Sequence, residues 1–189
     1  MSFPPPKDPM SMFANGKLKP GKYKVQNLTG QTYLEILEDS RELCCRPGAV
    51  LSPQDALWEF QVSGSGYKIK KVDPGKPDQY CNALGGLFFG FGSAVSATAF
   101  PAAWRVEIVN DIQYQGFGYV RIYWGSTNKA LDLNWWGSSK DGTTVRLWEH
   151  IACDPWRIWK LIPIQDGGDF SAGLDIKKGE APPEYSAKR

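Results

Sequence analysis

The sequence lacks several features that would place it among common enzymes or metal proteins. It contains one histidine in 189 residues, no C-x-x-C pair and no G-x-x-x-x-G-K-S/T phosphate loop. His150 and Cys153 together supply only two of the four ligands that a structural zinc site uses. A single histidine also excludes any catalytic arrangement that needs two. We therefore expect no metal, no cofactor and no enzymatic activity.

The chain also lacks an excess of charge of one sign and a long helical pattern of apolar residues. Its net charge of +2 comes from 22 basic and 20 acidic residues that are spread along the chain, so no basic stripe indicates nucleic-acid binding. Eight tryptophans, eight tyrosines and nine phenylalanines accompany 20 glycines and 14 prolines. This turn-rich, aromatic-rich composition indicates an all-β chain, and its length favours one domain.

No apolar run follows the N-terminal methionine, where Pro4, Pro5 and Pro6 stand instead. We therefore expect no secretory signal, a cytoplasmic location and four cysteines present as thiols. Residues 83–101 carry no charge and are long enough to raise the question of a membrane span. Glycines and Pro101 divide that stretch into short pieces that suit strands and turns, so we expect no span.

Residues 119–161 contain four short runs in which apolar and polar residues alternate, as they do in half-buried strands. The second and third runs flank a turn at residues 137–142 and form a predicted hairpin. Similar units precede it, and tryptophans 58, 104 and 156 close them at intervals of 46 and 52 residues.

Three such units cannot bury their apolar faces singly, so they should close around one core. The sequence therefore predicts a β-trefoil of about twelve short strands at residues 21–164. The predicted repeats are 21–66, 67–118 and 119–164, with a flexible N-terminal arm at 1–20 and a polar C-terminal extension at 165–189. We expect the arm to lack regular structure, although Met12 and Phe13 offer it a means of docking.

The third unit reads leucine, acid, leucine, a glycine-bearing turn, leucine, tryptophan and a terminal tryptophan. This order resembles one repeat of the ricin B-type β-trefoil lectins, and in particular the small cytoplasmic lectins of mushrooms. The resemblance implies reversible carbohydrate binding, with a defence or storage role. The family's Gln-x-Trp signature keeps only its tryptophans here, and Asp154 is interpreted as standing at the glutamine position.

The resemblance implies one sugar site, in the third repeat. Asp132 matches the family's sugar-binding acid and Trp148 its stacking aromatic, whereas the first and second repeats offer Glu35 and Asn82 at the acid position. A carboxylate accepts hydrogen bonds from vicinal hydroxyls while an aromatic face covers the C–H side of a sugar ring. Further residues predicted for the site are Asn134, Trp135, Trp136, Arg146, His150 and Asp154. Of the two adjacent tryptophans, at least one should face solvent and act as a platform.

A second resemblance, to the cospin-type and mycocypin protease inhibitors, keeps another function open. These trefoils have a tryptophan near each repeat end and often lack Gln-x-Trp, and residues 85–89 here look closer to them than to the lectins. An inhibitor would present a basic side chain on an exposed loop, for which Arg46 and Lys140 are the candidates. The expected partners are thus glycans or glycoproteins, or alternatively a protease, and a homodimer is left open.

Overall fold

A computed structural model describes residues 9–52, 54–83, 92–111, 114, 118–149 and 154–164. Most of this part of the chain is β-strand. The two N-terminal strands are β1 (Phe13–Ala14) and β2 (Lys17–Leu18). The next four are β3 (Gly21–Asn27), β4 (Tyr33–Ile36), β5 (Leu43–Arg46) and β6 (Leu57–Ser63). They are followed by β7 (Gly66–Lys71), β8 (Tyr80–Ala83), β9 (Ser93–Thr98) and β10 (Trp104–Ile108). The last four are β11 (Tyr119–Trp124), β12 (Lys129–Leu133), β13 (Thr143–Glu149) and β14 (Trp159–Ile164). Short helical turns lie at Pro9–Met12, Gly48–Val50, Asn134–Gly137 and Pro155–Arg157.

Six of these strands form a closed barrel. Going round it, β3 pairs with β6, β6 with β7, β7 with β10, β10 with β11, β11 with β14, and β14 with β3 again. All of these pairings are antiparallel. Alternation along β3 buries Tyr23, Val25 and Asn27 and leaves Lys24 and Gln26 between them partly exposed, which is the period-two pattern that the sequence shows.

Six of the remaining eight strands form three hairpins, β4–β5, β8–β9 and β12–β13, which cover one end of the barrel. Strand β13 pairs with both β5 and β9, and the backbone of Glu42 bridges to Ser96, so the three hairpins meet one another. Each repeat thus supplies two barrel strands and one hairpin. This is the β-trefoil with threefold internal repetition that the sequence predicts.

Three tryptophans mark the internal symmetry. Trp58, Trp104 and Trp159 are fully buried. Their indole Nε1 atoms donate to the carbonyl oxygens of Leu34, Cys81 and Leu131 at 2.9, 2.9 and 3.1 Å respectively. The hydrogen bond satisfies the one polar group of each indole in the core, which is why tryptophan can occupy this position three times.

The prediction that Trp156 closes the third repeat is therefore wrong, because Trp159 makes the equivalent contact. Trp156 lies in the helical turn Pro155–Arg157 and is only half-buried. The interval from the second to the third closing tryptophan is therefore 55 residues, from Trp104 to Trp159, which is three more than the predicted interval of 52.

The part of the N-terminal arm that the structure describes is docked on the domain. After the turn Pro9–Met12, β1 and β2 form a small hairpin, and Met12 and Leu18 are buried. The hydroxyl group of Tyr67 donates to the carbonyl oxygen of Leu18 at 2.7 Å. The expectation that the arm lacks regular structure is thus wrong for these residues, and its docking involves Met12. In the described residues no helix is both long and apolar enough to cross a membrane.

Candidate functional site

The outer face of the β12–β13 hairpin carries the main residues that the sequence predicts for a sugar site. On β12, Leu131 and Leu133 point into the core, so Asp132 between them points outward. The register places Asp132 opposite Arg146 and Ala130 opposite Trp148. Side chains opposite each other in an antiparallel pair share a face. The structure therefore brings Asp132, Arg146 and Trp148 to one surface.

The carboxylate of Asp132 is held by an arginine that the sequence analysis missed. The Nε atom of Arg157 lies 2.6 Å from Oδ2 of Asp132, and Asp132 and Arg157 are 6% and 4% exposed. The same guanidinium contacts Oδ2 of Asp154 at 2.6 Å and donates to the carbonyl oxygen of Glu149. Burial raises the pKa of Asp132, and the charge of Arg157 opposes this shift without cancelling it.

The position before the closing tryptophan also has to be corrected. With Trp159 as the closing residue, Arg157 stands two positions before it, where the Gln-x-Trp signature has glutamine. Asp154 does not occupy the glutamine position and lies against Arg157 instead. In the lectin repeats, polar groups before the tryptophan help to hold the sugar-binding aspartate, and Arg157 makes that contact here. The Arg-x-Trp spacing at Trp159 is the sequence signal that identifies this position.

Trp148 is half-buried, and the second repeat packs against it. A Cβ atom on Gly92 would lie 2.9 Å from Cε3 of Trp148 and 2.7 Å from Cδ of Arg146, which is too close for any side chain. The φ angle of Gly92, +74°, also favours glycine. This close approach fixes the indole of Trp148 against the backbone, next to the outward-facing row of Asp132 and Arg146.

Trp135 and Trp136 are both exposed, by 69% and 73% of their surface. The expectation that at least one of them faces solvent is confirmed; both do so because they lie in a left-handed turn after β12 and not in a strand. Asn134 begins this turn; its Nδ2 atom donates to Oγ1 of Thr144 at 3.3 Å and its Oδ1 atom accepts from the backbone of Trp135 at 2.8 Å. The pair lies at the far end of the hairpin from Trp148, so the two aromatic groups do not share one pocket.

The equivalent residues of the other repeats also make hydrogen bonds within the protein. In the first repeat, Oε2 of Glu35 accepts from the backbone nitrogen of Ala56 at 2.6 Å and from Nζ of Lys71 at 2.8 Å. In the second repeat, Nδ2 of Asn82 donates to the carbonyl oxygen of Phe100 at 3.1 Å. Glu35, Asn82 and Asp132 each follow the residue whose carbonyl binds the core tryptophan, so they are structurally equivalent. The third repeat alone places an aspartate beside a partly exposed tryptophan.

The two residues proposed for an inhibitory loop are in different environments. The guanidinium of Arg46 donates two hydrogen bonds to Asp141, at 2.9 and 3.1 Å. Lys140 is exposed in the turn before β13, and its carbonyl oxygen accepts hydrogen bonds from the backbone and side chain of Thr143. Predicted positions at His150 and at residues 85–89 lie outside the described residues.

Three repeats, a six-stranded barrel and a cap of three hairpins define the chain as a β-trefoil protein. No family model and no curated protein matches its sequence. Solved structures do match its fold. A ricin B-like lectin of Macrolepiota procera, solved with lactose, matches with a TM-score of 0.63 and 22% identity over 80% of this chain and 99% of that one. The agglutinin of Rhizoctonia solani matches with a TM-score of 0.62 and 16% identity over 80% and 100%.

A proteinase inhibitor from Coprinopsis cinerea has the same fold, with a TM-score of 0.58 and 13% identity over 78% of this chain and 100% of that one. The structural neighbours thus include ricin B-like trefoil lectins and a trefoil protease inhibitor, the two groups that the sequence resembles. At these identities the likeness establishes the fold.

Proposed function

We propose that the protein is a carbohydrate-binding lectin whose main site is the outer face of the β12–β13 hairpin, and that it binds without catalysis. The observation that carries the proposal is the shared face of Asp132, Arg146 and Trp148, with Arg157 orienting the carboxylate. The fold supports it, because structural neighbours with the same architecture are lectins.

The chemistry of this face suits a sugar. Arg157 engages Oδ2 of Asp132, so Oδ1 is the acceptor that we assign to a ligand hydroxyl. The guanidinium of Arg146, which lies opposite Asp132 on the hairpin, supplies donors to ring or hydroxyl oxygens. The exposed part of the Trp148 indole covers the C–H face of the ring. Asn134 bonds Thr144 on the same hairpin and Asp154 contacts Arg157, and we assign both residues secondary roles.

A glycan array tests the proposal, and lactose, the ligand in the Macrolepiota procera complex, is the first sugar to titrate. We expect the parent protein to bind at least one class of glycan and Trp148→Ala to lose that binding while its far-ultraviolet circular dichroism stays that of the parent. A parent protein that binds no glycan on the array would overturn the proposal.

Protease inhibition is the second candidate, supported by the inhibitor from Coprinopsis cinerea and by the braced, exposed turn at Lys140. Arg46 is the weaker choice because Asp141 already binds its guanidinium. A panel of serine and cysteine proteases tests this function. Inhibition that Lys140→Ala removes, in a protein that binds no glycan, would favour the inhibitor.

We also propose a reducing compartment, in keeping with a cytoplasmic defence or storage protein. Cys44, Cys45 and Cys81 are free and buried, and burial raises the pKa of Cys44 to about 12. We expect thiol titration of the protein from its native source to detect these thiols after denaturation without reductant. Failure to detect them would place the protein in an oxidising compartment.

A further inference from the structure

The turn after β12 has a backbone conformation that tryptophan rarely adopts. Trp135 has φ and ψ of 54° and 47°, Trp136 has 52° and 39°, and Gly137 follows with φ of 80°. Left-handed backbone is unfavourable for residues with a Cβ atom, and bulky residues enter it only where the surrounding structure imposes it. Two consecutive tryptophans in this conformation are therefore a strained feature that the fold maintains.

Contacts with the first repeat impose this conformation. A Cβ atom on Gly137 would lie 2.6 Å from Cβ of Thr29 and 3.0 Å from Cβ of Trp156, so only glycine fits there. Across the same contact, a Cβ atom on Gly30 would lie 2.8 Å from Cδ2 of Leu133. The turn is closed by the backbone nitrogen of Ser138, which donates to the carbonyl oxygen of Asn134 at 3.3 Å.

The result is a pair of solvent-facing indoles on a closely packed backbone turn, which we call the Trp135–Trp136 platform. Other large apolar side chains that are exposed in the described residues stand singly, at Val50, Val62 and Phe100. The platform alone combines two such side chains with backbone strain. Strain of this kind is concentrated at ligand-binding sites, because rigid placement of a side chain lowers the cost of binding.

The surroundings of the platform indicate what it binds. Residues 133–139 carry no charged side chain, the exposed Lys140 follows them, and Arg46 and Asp141 bind each other. One lysine beside two indoles, with amide and hydroxyl groups around them, supplies too little positive charge for nucleic acid or an anionic membrane. This surface suits a neutral sugar, whose C–H face packs on an indole and whose hydroxyls bind groups such as Ser138 and Ser139.

The platform is continuous with the site on β12. Asn134 follows Asp132 by two residues on the same face, and its side chain accepts from the backbone of Trp135. Trp148 lies opposite Ala130, and the rise along β12 places the end of the strand at Leu133, where the turn begins, about 10 Å from that pair. One sugar ring cannot contact both Trp148 and the platform. We propose that the protein recognises an oligosaccharide: one ring binds at Asp132 and Trp148, and another ring of the same glycan stacks on the Trp135–Trp136 platform. This inference rests on the proposed function and adds the size of the ligand to it.

The test uses the full chain and two probes. The first probe is the glycan that binds most strongly on the array, and the second is the free monosaccharide that corresponds to the ring we assign to Asp132. The variants are Trp135→Ala with Trp136→Ala combined, Trp135→Phe with Trp136→Phe combined, and the control Phe100→Ala, which removes another exposed aromatic side chain. We expect the double alanine variant to bind the oligosaccharide about tenfold more weakly and the monosaccharide as the parent does. The double phenylalanine variant should recover part of the loss, and the control should bind both probes like the parent.

The outcomes separate the two proposals. If the double alanine variant binds the oligosaccharide as tightly as the parent, the platform is not a subsite, although loss of binding in Trp148→Ala would still support the main site. If both probes lose affinity equally in the double alanine variant, its effect is structural and the inference is wrong. If the parent binds neutral phosphatidylcholine vesicles through the platform and binds no glycan, both proposals fail.

Discussion

The Nε atom of Arg157 lies 2.6 Å from the carboxylate of Asp132. Arg157 stands two residues before the core tryptophan Trp159, and lectin repeats support their sugar-binding aspartate from that position. A glutamine would hold the carboxylate through a neutral amide, whereas Arg157 holds it through an ion pair that Asp154 also joins. The replacement keeps the carboxylate oriented and charged in a buried position. It also links the integrity of the candidate site to the stability of the third repeat.

This link predicts that Arg157→Ala destabilises the protein strongly. The change leaves Asp132 buried without its partner, which should lower the free energy of unfolding by about 3–5 kcal/mol. The matched control is Arg46→Ala, where an exposed guanidinium bound to Asp141 is removed and the loss should stay below about 1 kcal/mol. Denaturant unfolding measures both. Equal losses for the two variants would contradict the role of Arg157 in the buried cluster.

The assignment of Trp159 to the core predicts unequal effects for two tryptophans three residues apart. Trp159→Ala removes a fully buried indole and should lower the free energy of unfolding by about 3–5 kcal/mol. Trp156→Ala removes a half-buried indole and should cost less than half as much. Thermal or denaturant unfolding compares them directly, and a larger loss for Trp156→Ala would restore the alignment that the sequence suggested.

The strain in the platform predicts an unusual gain of stability. Glycine adopts left-handed backbone freely, so Trp136→Gly should raise the free energy of unfolding by about 0.5–1 kcal/mol, since the lost indole is mostly exposed. The control is Phe100→Gly, because Phe100 is exposed but has no positive φ, and that variant should be destabilised or unchanged. If both glycine variants lose stability alike, the left-handed turn carries no strain.

Much of this fold could be predicted because its information is local and repeated. Alternation along strands such as β3 shows which face is buried, and three similar units require a common core. The equivalence of Glu35, Asn82 and Asp132 also follows from the pattern, because each lies in the second strand of its repeat. Asp132, Arg146 and Trp148 were therefore placed on one hairpin correctly.

What could not be predicted depended on contacts between distant residues. Trp156 and Trp159 look alike locally, and only the hydrogen bond to Leu131 identifies the core residue. The exposure of both Trp135 and Trp136 depends on packing of Gly137 against Thr29, more than a hundred residues earlier in the chain. The pairing of Asp132 with Arg157 follows from the same corrected register.

Burial of Asp132 predicts that glycan binding is lost early on acidification. Its pKa lies above the ordinary value of 3.8, so the carboxylate gains its proton at a higher pH than an exposed aspartate and loses the negative charge that would strengthen hydrogen bonds from sugar hydroxyls. A raised folded-state pKa favours the folded protein at low pH, so this protonation should not itself cause unfolding. Affinity measured from pH 7 downward should fall before the circular dichroism changes. Constant affinity down to the pH where exposed aspartates titrate would contradict this.

The most direct test of the third-repeat site compares Asp132→Asn with Glu35→Gln by titration calorimetry against the best array glycan. Both changes remove one charge from a buried ion pair at structurally equivalent positions, so their effects on stability should be similar, at about 1–3 kcal/mol. We predict that Asp132→Asn lowers the affinity for the glycan by about ten- to a hundredfold, because a charge-assisted hydrogen bond is lost. We predict that Glu35→Gln binds the glycan like the parent. Retention of parent affinity by Asp132→Asn, or an equal loss in Glu35→Gln, would contradict the assignment of the site to Asp132.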